Sequence, residues 1–143
     1  MSVARLCSRV VATAAPNENI WTAAERMFDL EVGTLVVVEP PGHAVGILTD
    51  RDIALRCVAG RVDPSKTPIA ELMSTPAYGV DEHSPIEDAV TRMAALGLRR
   101  LVVTGENNRV VGVLSLDDVL EQIVGQTRAI GGLLKQQKPG ILA

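Results

Sequence analysis

Two stretches decide how this chain is read: Gly46-Ile47-Leu48-Thr49-Asp50-Arg51-Asp52 and Gly112-Val113-Leu114-Ser115-Leu116-Asp117-Asp118. Both follow the form Gly-φ-Leu-[Thr/Ser]-x-x-Asp, and they lie 66 residues apart. Extending the same gapless shift lays residues 3–60 on 69–126 with 16 identities in 58 positions, among them Ile20, Arg26, Met27, Leu35, Val36, Val37 and Gly46. Chance alone gives about one match in twelve in a chain this rich in Ala, Val and Leu, so the sequence contains an internal repeat. Residues 3–60 are the first copy, 61–68 a linker with Pro64 and Pro68, 69–126 the second copy, and 127–143 a tail outside the repeat. Gly131-Gly132 and Pro139-Gly140 suggest that the tail is a frayed helix or a contact between copies of the chain.

Within each copy the hydrophobic period changes in the same order. Ile20, Ala23, Ala24, Met27 and Leu30 keep helical spacing, and Ile86, Ala89, Val90, Met93 and Leu96 repeat it. Ser84-Pro85-Ile86-Glu87 reads as an N-cap, a Pro at the first helical position and a capping-box Glu. A β-branched run follows (35–38; 101–104), then a turn rich in Pro, Gly or Asn, then a second run (44–48; 110–114), which together predict a hairpin. The Thr49 and Ser115 segments then start another helix. With a short extended piece before the first helix (10–14; 77–80), each copy reads β-α-β-β-α. A copy of under 60 residues buries little of its sheet. The expectation is therefore an α/β (α+β) fold in which the two copies pack about a pseudo-twofold axis and share one core.

The overall numbers agree with that reading and remove several others. The chain has 143 residues, 47% of them hydrophobic and only 2% aromatic, which supports a core of aliphatic residues and argues against base stacking on aromatic platforms. Fourteen Lys and Arg against 17 Asp and Glu give a formal charge of -3, the wrong sign for a reader of nucleic-acid backbones. Cys7 and Cys57 are too few for a disulfide scaffold, and with two His and no CxxC no metal site is expected. Reduced thiols and the absence of a run long enough for a membrane span point to a cytoplasmic protein with no membrane partner. Residues 1–16 carry Arg5 and Arg9 and loosely imitate a transit peptide, but the repeat begins near Val3 and makes that stretch part of the fold.

The repeated motif places a hydroxyl and a carboxylate three residues apart where a strand passes into a helix. Such a carboxylate can accept both hydroxyls of a ribose, while the Thr or Ser and the helix amides donate toward a phosphate. The same pattern, [ST]-x-x-[DE], is also a helix capping box. Asp is short for the reciprocal bond that Glu or Gln makes there, and a Gly stands at the same offset in both copies; both points favour a ligand.

Tandem β-α-β-β-α copies carrying Gly-Ile-Leu-Thr-Asp-Arg-Asp-Ile and Leu-Arg-Arg-Leu-Val-Val…Val-Val-Gly-Val-Leu-Ser-Leu-Asp-Asp-Val resemble a pair of CBS domains, the module named after cystathionine β-synthase. The resemblance covers about Val3 to Gln126. It implies two clefts between the copies that take adenosine-containing ligands: AMP, ADP, ATP or S-adenosylmethionine. Each cleft would join the first strand of one copy to the [Thr/Ser]-x-x-Asp of the other. One would hold adenine against Val10, Ala12 and Thr13, ribose on Ser115 and Asp118, and phosphate near Arg99 and Arg100. The second would hold adenine against Pro76, Tyr78 and Gly79 and ribose on Thr49 and Asp52, with Arg51 as its one nearby cation. The second cleft would then suit a smaller or less charged ligand, and Asp118→Ala would weaken binding more than Asp52→Ala.

Other residues carry less. Tyr78 either stacks on a purine or covers a sheet edge, and Arg99-Arg100 equally fit a solvated strand end. Trp21 and Phe28, seven apart, fit a core or dimer-contact stripe. His43 and His83 are expected in solvent, and Cys7, opposite Met73 in the repeat, in the core. The expected function is a stand-alone regulatory module that senses adenine nucleotides as regulatory ligands, with no catalytic residues and no cofactor. It would dimerise through its helices, as resemblance to the family implies, and signal to a separate effector protein. An interaction or structural adaptor without a ligand is the alternative.

Overall fold

Each repeat builds the predicted β-α-β-β-α elements in the same order, preceded by a short helix that the sequence reading does not include. The computed structural model describes residues 1–136. In the first copy these are α1 (Val3–Leu6), β1 (Thr13–Ala14), α2 (Ile20–Leu30), β2 (Thr34–Glu39), β3 (His43–Thr49) and α3 (Asp50–Asp52), the last continuing as π-helical turns over Ile53–Val58. The second copy has α4 (Ile69–Leu72), β4 (Gly79–Asp81), α5 (Ile86–Leu96), β5 (Arg100–Thr104), β6 (Val110–Ser115) and α6 (Leu116–Gln136). Two three-stranded sheets result, ordered β1-β2-β3 and β4-β5-β6, each with a parallel first pair and an antiparallel hairpin. The central strands are buried on both faces, which explains their unbroken runs Leu35-Val36-Val37 and Leu101-Val102-Val103.

The expected single shared core is instead two. One gathers Ile20, Ala23, Met27, Leu35, Val37, Leu48 and Cys57; the other gathers Ala89, Met93, Leu101, Val103, Leu114 and Val119. Each core is completed by the other copy. Val3, fully buried, closes the second core with Leu6 and Cys7 beside it, and Ile69, also fully buried, closes the first with Leu72 and Met73 beside it. The segments before β1 and β4 are thus exchanged arms. Paired bonds fix them: Val3 N donates to Ser84 O at 2.9 Å and Ile69 N to Glu18 O at 2.8 Å, while Ser8 bridges Val113 and Ser74 bridges Ile47. Every one of these contacts has its mate 66 positions on, so the two copies are related by a pseudo-twofold axis.

The arms also explain the repeated glycine. A Cβ at Gly46 would sit 2.5 Å from Met73 Sδ, and one at Gly112 would sit 2.7 Å from Ser8 O, so the arm from the other copy lies too close for any side chain. The N-terminus of α5 is likewise set by an arm. Pro85 is itself the capping residue, and no side chain caps the helix, so the predicted Ser84–Glu87 box is not formed. Ile86 N donates instead to Met1 O at 3.0 Å, while the backbone of Ser84 is engaged with Asp81 and Val3. Helix α2 is capped conventionally, with Asn19 Oδ1 accepting from Thr22 N at 2.8 Å. The linker around Thr67 is packed rather than loose, since Thr67 is buried and its carbonyl accepts from Ile20 N.

Helix α6 is continuous through Gly131-Gly132, so this part of the tail is ordered helix; Pro139-Gly140 lies outside the described residues. Trp21 and Phe28 are 57% and 84% exposed, which removes the core reading of that stripe. Among the described residues no helix is long and apolar enough to cross a membrane.

Candidate functional site

The strand-to-helix junction after β3 is held by a reciprocal pair: Thr49 N donates to Asp52 Oδ2 at 3.0 Å, and Asp52 N donates to Thr49 Oγ1 at 3.1 Å. The junction after β6 repeats it, with Ser115 N to Asp118 Oδ2 and Asp118 N to Ser115 Oγ both at 3.1 Å. Asp is therefore long enough to close the box, contrary to expectation, because the extended Thr or Ser brings its own N–H toward the first turn. Capping uses only one carboxylate oxygen. In Asp52 the other, Oδ1, lies 3.4 Å from Ser74 Oγ and 3.9 Å from Arg56 Nε, and remains an acceptor for a ligand hydroxyl.

Around Asp52 the exchanged arm builds a cavity of about 220 Å³. Ile47, Thr49 and Asp52 come from the first copy, and Ser74, Thr75, Pro76, Tyr78, Leu98, Arg99 and Arg100 from the second. Ile47, Pro76, Tyr78 and Leu98 give it an apolar wall; Asp52 and the two arginines give it opposite charges at separate positions. The Tyr78 ring also has the Arg92 guanidinium 5.9 Å from its centroid.

Four sequence-predicted residues, Thr49, Asp52, Pro76 and Tyr78, thus meet around one cavity, but two assigned to the opposite cleft join them. Arg99 and Arg100 line the Asp52 cavity, not the Asp118 side. The cause is strand order. β5 is the central strand, so its first residues adjoin both Ser115, which pairs with Arg100, and Tyr78, whose carbonyl accepts from Val102 N. Two other placements also change. Arg51 is exposed and outside the cavity lining, and Gly79 lies in a separate polar groove with Asp81, Arg92, Thr104 and Asn108. Ile47, Ser74, Thr75 and Leu98 were missed, and the bridge from Ser74 to Ile47 that brings them together joins parts of different repeats.

The pseudo-symmetric region is built differently. Val10 is 89% exposed, and Ala12 and Thr13 line a shallow groove with Glu18, Arg26 and Val38. Ser115 and Asp118 do not line that groove. Gly33 and Thr34 stand where the other side has Arg99 and Arg100, and a Cβ at Gly33 would touch the Asp50 carboxylate. The cation nearest in sequence, Arg9, pairs with Glu82 at 2.9 Å. Arg26 is likewise committed, bonded to both oxygens of Glu18 at 3.0 and 2.6 Å, and this pairing holds the Glu18 carboxyl below the usual carboxylate range. The Cys7 thiol, which lies beside Gly112, is pushed up chiefly by burial. Among the described residues no group of three or more His, Cys, Asp or Glu could hold a metal ion.

Comparison with known proteins gives consistent matches. The family profile for the CBS domain matches residues 3–58 and 69–125. The CBS domain-containing protein YhcV of Bacillus subtilis is 43% identical over 109 residues, spanning 76% of each chain. An uncharacterized protein, MK0525 of Methanopyrus kandleri, is 29% identical over 85% of this chain, which spans only 62% of that relative's length. Among solved structures, PAE2072 from Pyrobaculum aerophilum, complexed with AMP, has a TM-score of 0.74 and 28% identity, covering 82% of this chain and 89% of its own. The CBS domain pair of protein MJ0100, complexed with 5'-methylthioadenosine and S-adenosyl-L-methionine, has a TM-score of 0.77 and 25% identity, covering 88% and 98%.

Proposed function

This chain belongs to the CBS-domain family, and we propose that it is a ligand-sensing module that binds a phosphorylated adenosine nucleotide in the cavity around Asp52. One observation carries the reading: a single cavity, lined from both repeats, combines an apolar wall, an acceptor carboxylate and two adjacent arginines. Adenine lies against Ile47, Pro76, Tyr78 and Leu98, where aliphatic and aromatic surface replaces water. The ribose hydroxyls donate to Asp52 Oδ1, the oxygen left over from capping. Arg99 and Arg100 take the phosphate as charge-assisted donors. The same arginines disfavour the sulfonium and ammonium of S-adenosylmethionine, so AMP, ADP or ATP fits this cavity better. Gly33, Thr34 and the Asp50 carboxylate make the region near Ser115 and Asp118 the one suited to an uncharged nucleoside end, which reverses the order expected from sequence. The likeness to CBS pairs crystallised with AMP and with S-adenosyl-L-methionine supports the ligand class.

Binding across two repeats gives the ligand a means of regulation, because it stabilises one relative placement of the copies over another. The proposed assembly is a homodimer that covers exposed helix residues such as Trp21, Phe28, Leu55 and Val58 and passes occupancy to an effector protein. Isothermal titration with AMP, ADP, ATP, adenosine and S-adenosylmethionine tests the ligand. AMP, ADP or ATP is expected to bind more tightly than S-adenosylmethionine. No heat from any of them at millimolar concentration would sink the reading and leave an adaptor without a ligand.

A further inference from the structure

Helix α6 continues after the region shared by the two copies ends at Gln126, extending ten more residues to Gln136. At 1.5 Å per residue that is about 15 Å of helix. Leu120, Ile123, Ile130 and Leu134 are between 46% and 63% exposed. With half-buried Leu116 and with Thr127 they recur at alternating spacings of four and three from 116 to 134, the period of a helix that pairs with another helix. Nor is the extension self-supporting. Gly125, Gly131 and Gly132 lie within α6, and a Cβ at any of them would meet nothing else in this chain. Each glycine costs about 1 kcal/mol relative to alanine in a helix, and so short a segment is marginal alone.

Charge identifies the occupant. One edge of the apolar seam carries Asp117 and Glu121, then Arg128 and Lys135: acids first, bases last. Asp117 also reaches Arg99 at 3.4 Å, across an exposed contact. We propose that α6 of a second copy lies antiparallel on this seam, centred near Gly125. In that register Leu116 meets Leu134 of the partner subunit, Leu120 meets Ile130 of the partner subunit, and Ile123 meets Thr127 of the partner subunit, each layer occurring twice. An antiparallel pair related by a twofold axis brings each edge of the seam against the same edge of its mate, so Glu121 faces Arg128 of the partner subunit. A parallel pair would set the charged edge against Gln126 and Leu133, which carry no charge. The pairing rests on the homodimer reading above and specifies a contact and orientation within it.

Sedimentation equilibrium of the full chain tests it. Ile130→Asp combined with Leu134→Asp should raise the dimer dissociation constant by about a hundredfold, since each residue fills an apolar layer that occurs twice in the pair. Arg128→Glu or Glu121→Lys alone should weaken the dimer by about tenfold at low salt, and the two together should restore it. A wild-type chain that stays monomeric through the micromolar range overturns the pairing and the homodimer together. A dimer unmoved by the two Asp substitutions overturns the α6 pairing alone. Weakening by those substitutions without rescue by the charge exchange overturns the antiparallel register.

Discussion

Asp52 caps its helix with one oxygen and leaves the other as the proposed ribose acceptor, and this makes the choice of substitution decisive. Asp52→Ala removes both the cap and the proposed ribose acceptor, whereas Asp52→Asn leaves a carbonyl oxygen for Thr49 N–H and replaces only the other oxygen with a donor. A hydrogen bond to a charged group is worth about 1.5–3 kcal/mol, so Asp52→Asn should weaken AMP binding by roughly ten- to a hundredfold with little change in melting temperature. Asp118→Asn should affect AMP less, because the arginines lie on the Asp52 side; equal losses in titration calorimetry would contradict the inequality of the two regions. Arg99 and Arg100 separate phosphate from nucleoside recognition. Replacing both with Ala should weaken AMP by about tenfold or more and leave adenosine nearly unchanged. If adenosine affinity falls by the same factor, the arginines shape the cavity rather than hold a phosphate. Thr49 and Asp52, which line the cavity, stand out in sequence because the motif occurs twice; the grouping of the other lining residues around them does not. Arg100 pairs with Ser115 in the sheet yet lines the cavity of Thr49, and no local pattern says which neighbour a side chain at the head of a central strand will face.

At the scale of elements, the helices and hairpins could be read directly, since the 3.6- and 2-residue periods of α2, α5 and the four hairpin strands are local properties of the chain. The short arms could not. Four residues of helix such as Val3–Leu6 and Ile69–Leu72 show no period of their own, and exchange between equivalent positions of a repeat leaves the sequence pattern unchanged. The same exchange determines the failed prediction at Ser84, where a backbone carbonyl from Met1 replaces the expected side-chain cap. It also makes a distinctive prediction. Ile69 belongs by sequence to the second copy but fills the core of the first, so Ile69→Ala should cost about 2–5 kcal/mol, as other large-to-small core changes do. Urea denaturation measures the cost, and hydrogen exchange shows where it falls: protection should drop in β2 and β3 before β5. Loss confined to β5 and β6 would mean that the arm stays with its own copy in solution.

For the whole molecule, two separate cores would ordinarily allow two unfolding events, one per repeat. The exchanged arms oppose this. Opening the first core releases Ile69, Leu72 and Met73, and with them the chain that leads into β4; opening the second releases Val3 and Leu6, which lead into β1. Neither core is complete without the other copy's backbone in place, and a ligand in the shared cavity would contact both. The module should therefore melt as one cooperative unit despite its duplicated architecture, with a calorimetric enthalpy close to the van't Hoff enthalpy. Saturating AMP should raise the whole transition, by about 2.7 kcal/mol of stability at a hundred times its dissociation constant, without splitting it. Scanning calorimetry at a fixed protein concentration, with and without AMP, checks both points, since dimer dissociation also moves the midpoint with concentration. Two resolved transitions in the absence of ligand would show that the arms are too weakly held to couple the repeats, and a ligand signal carried from one copy to the other would then have no rigid path through the fold.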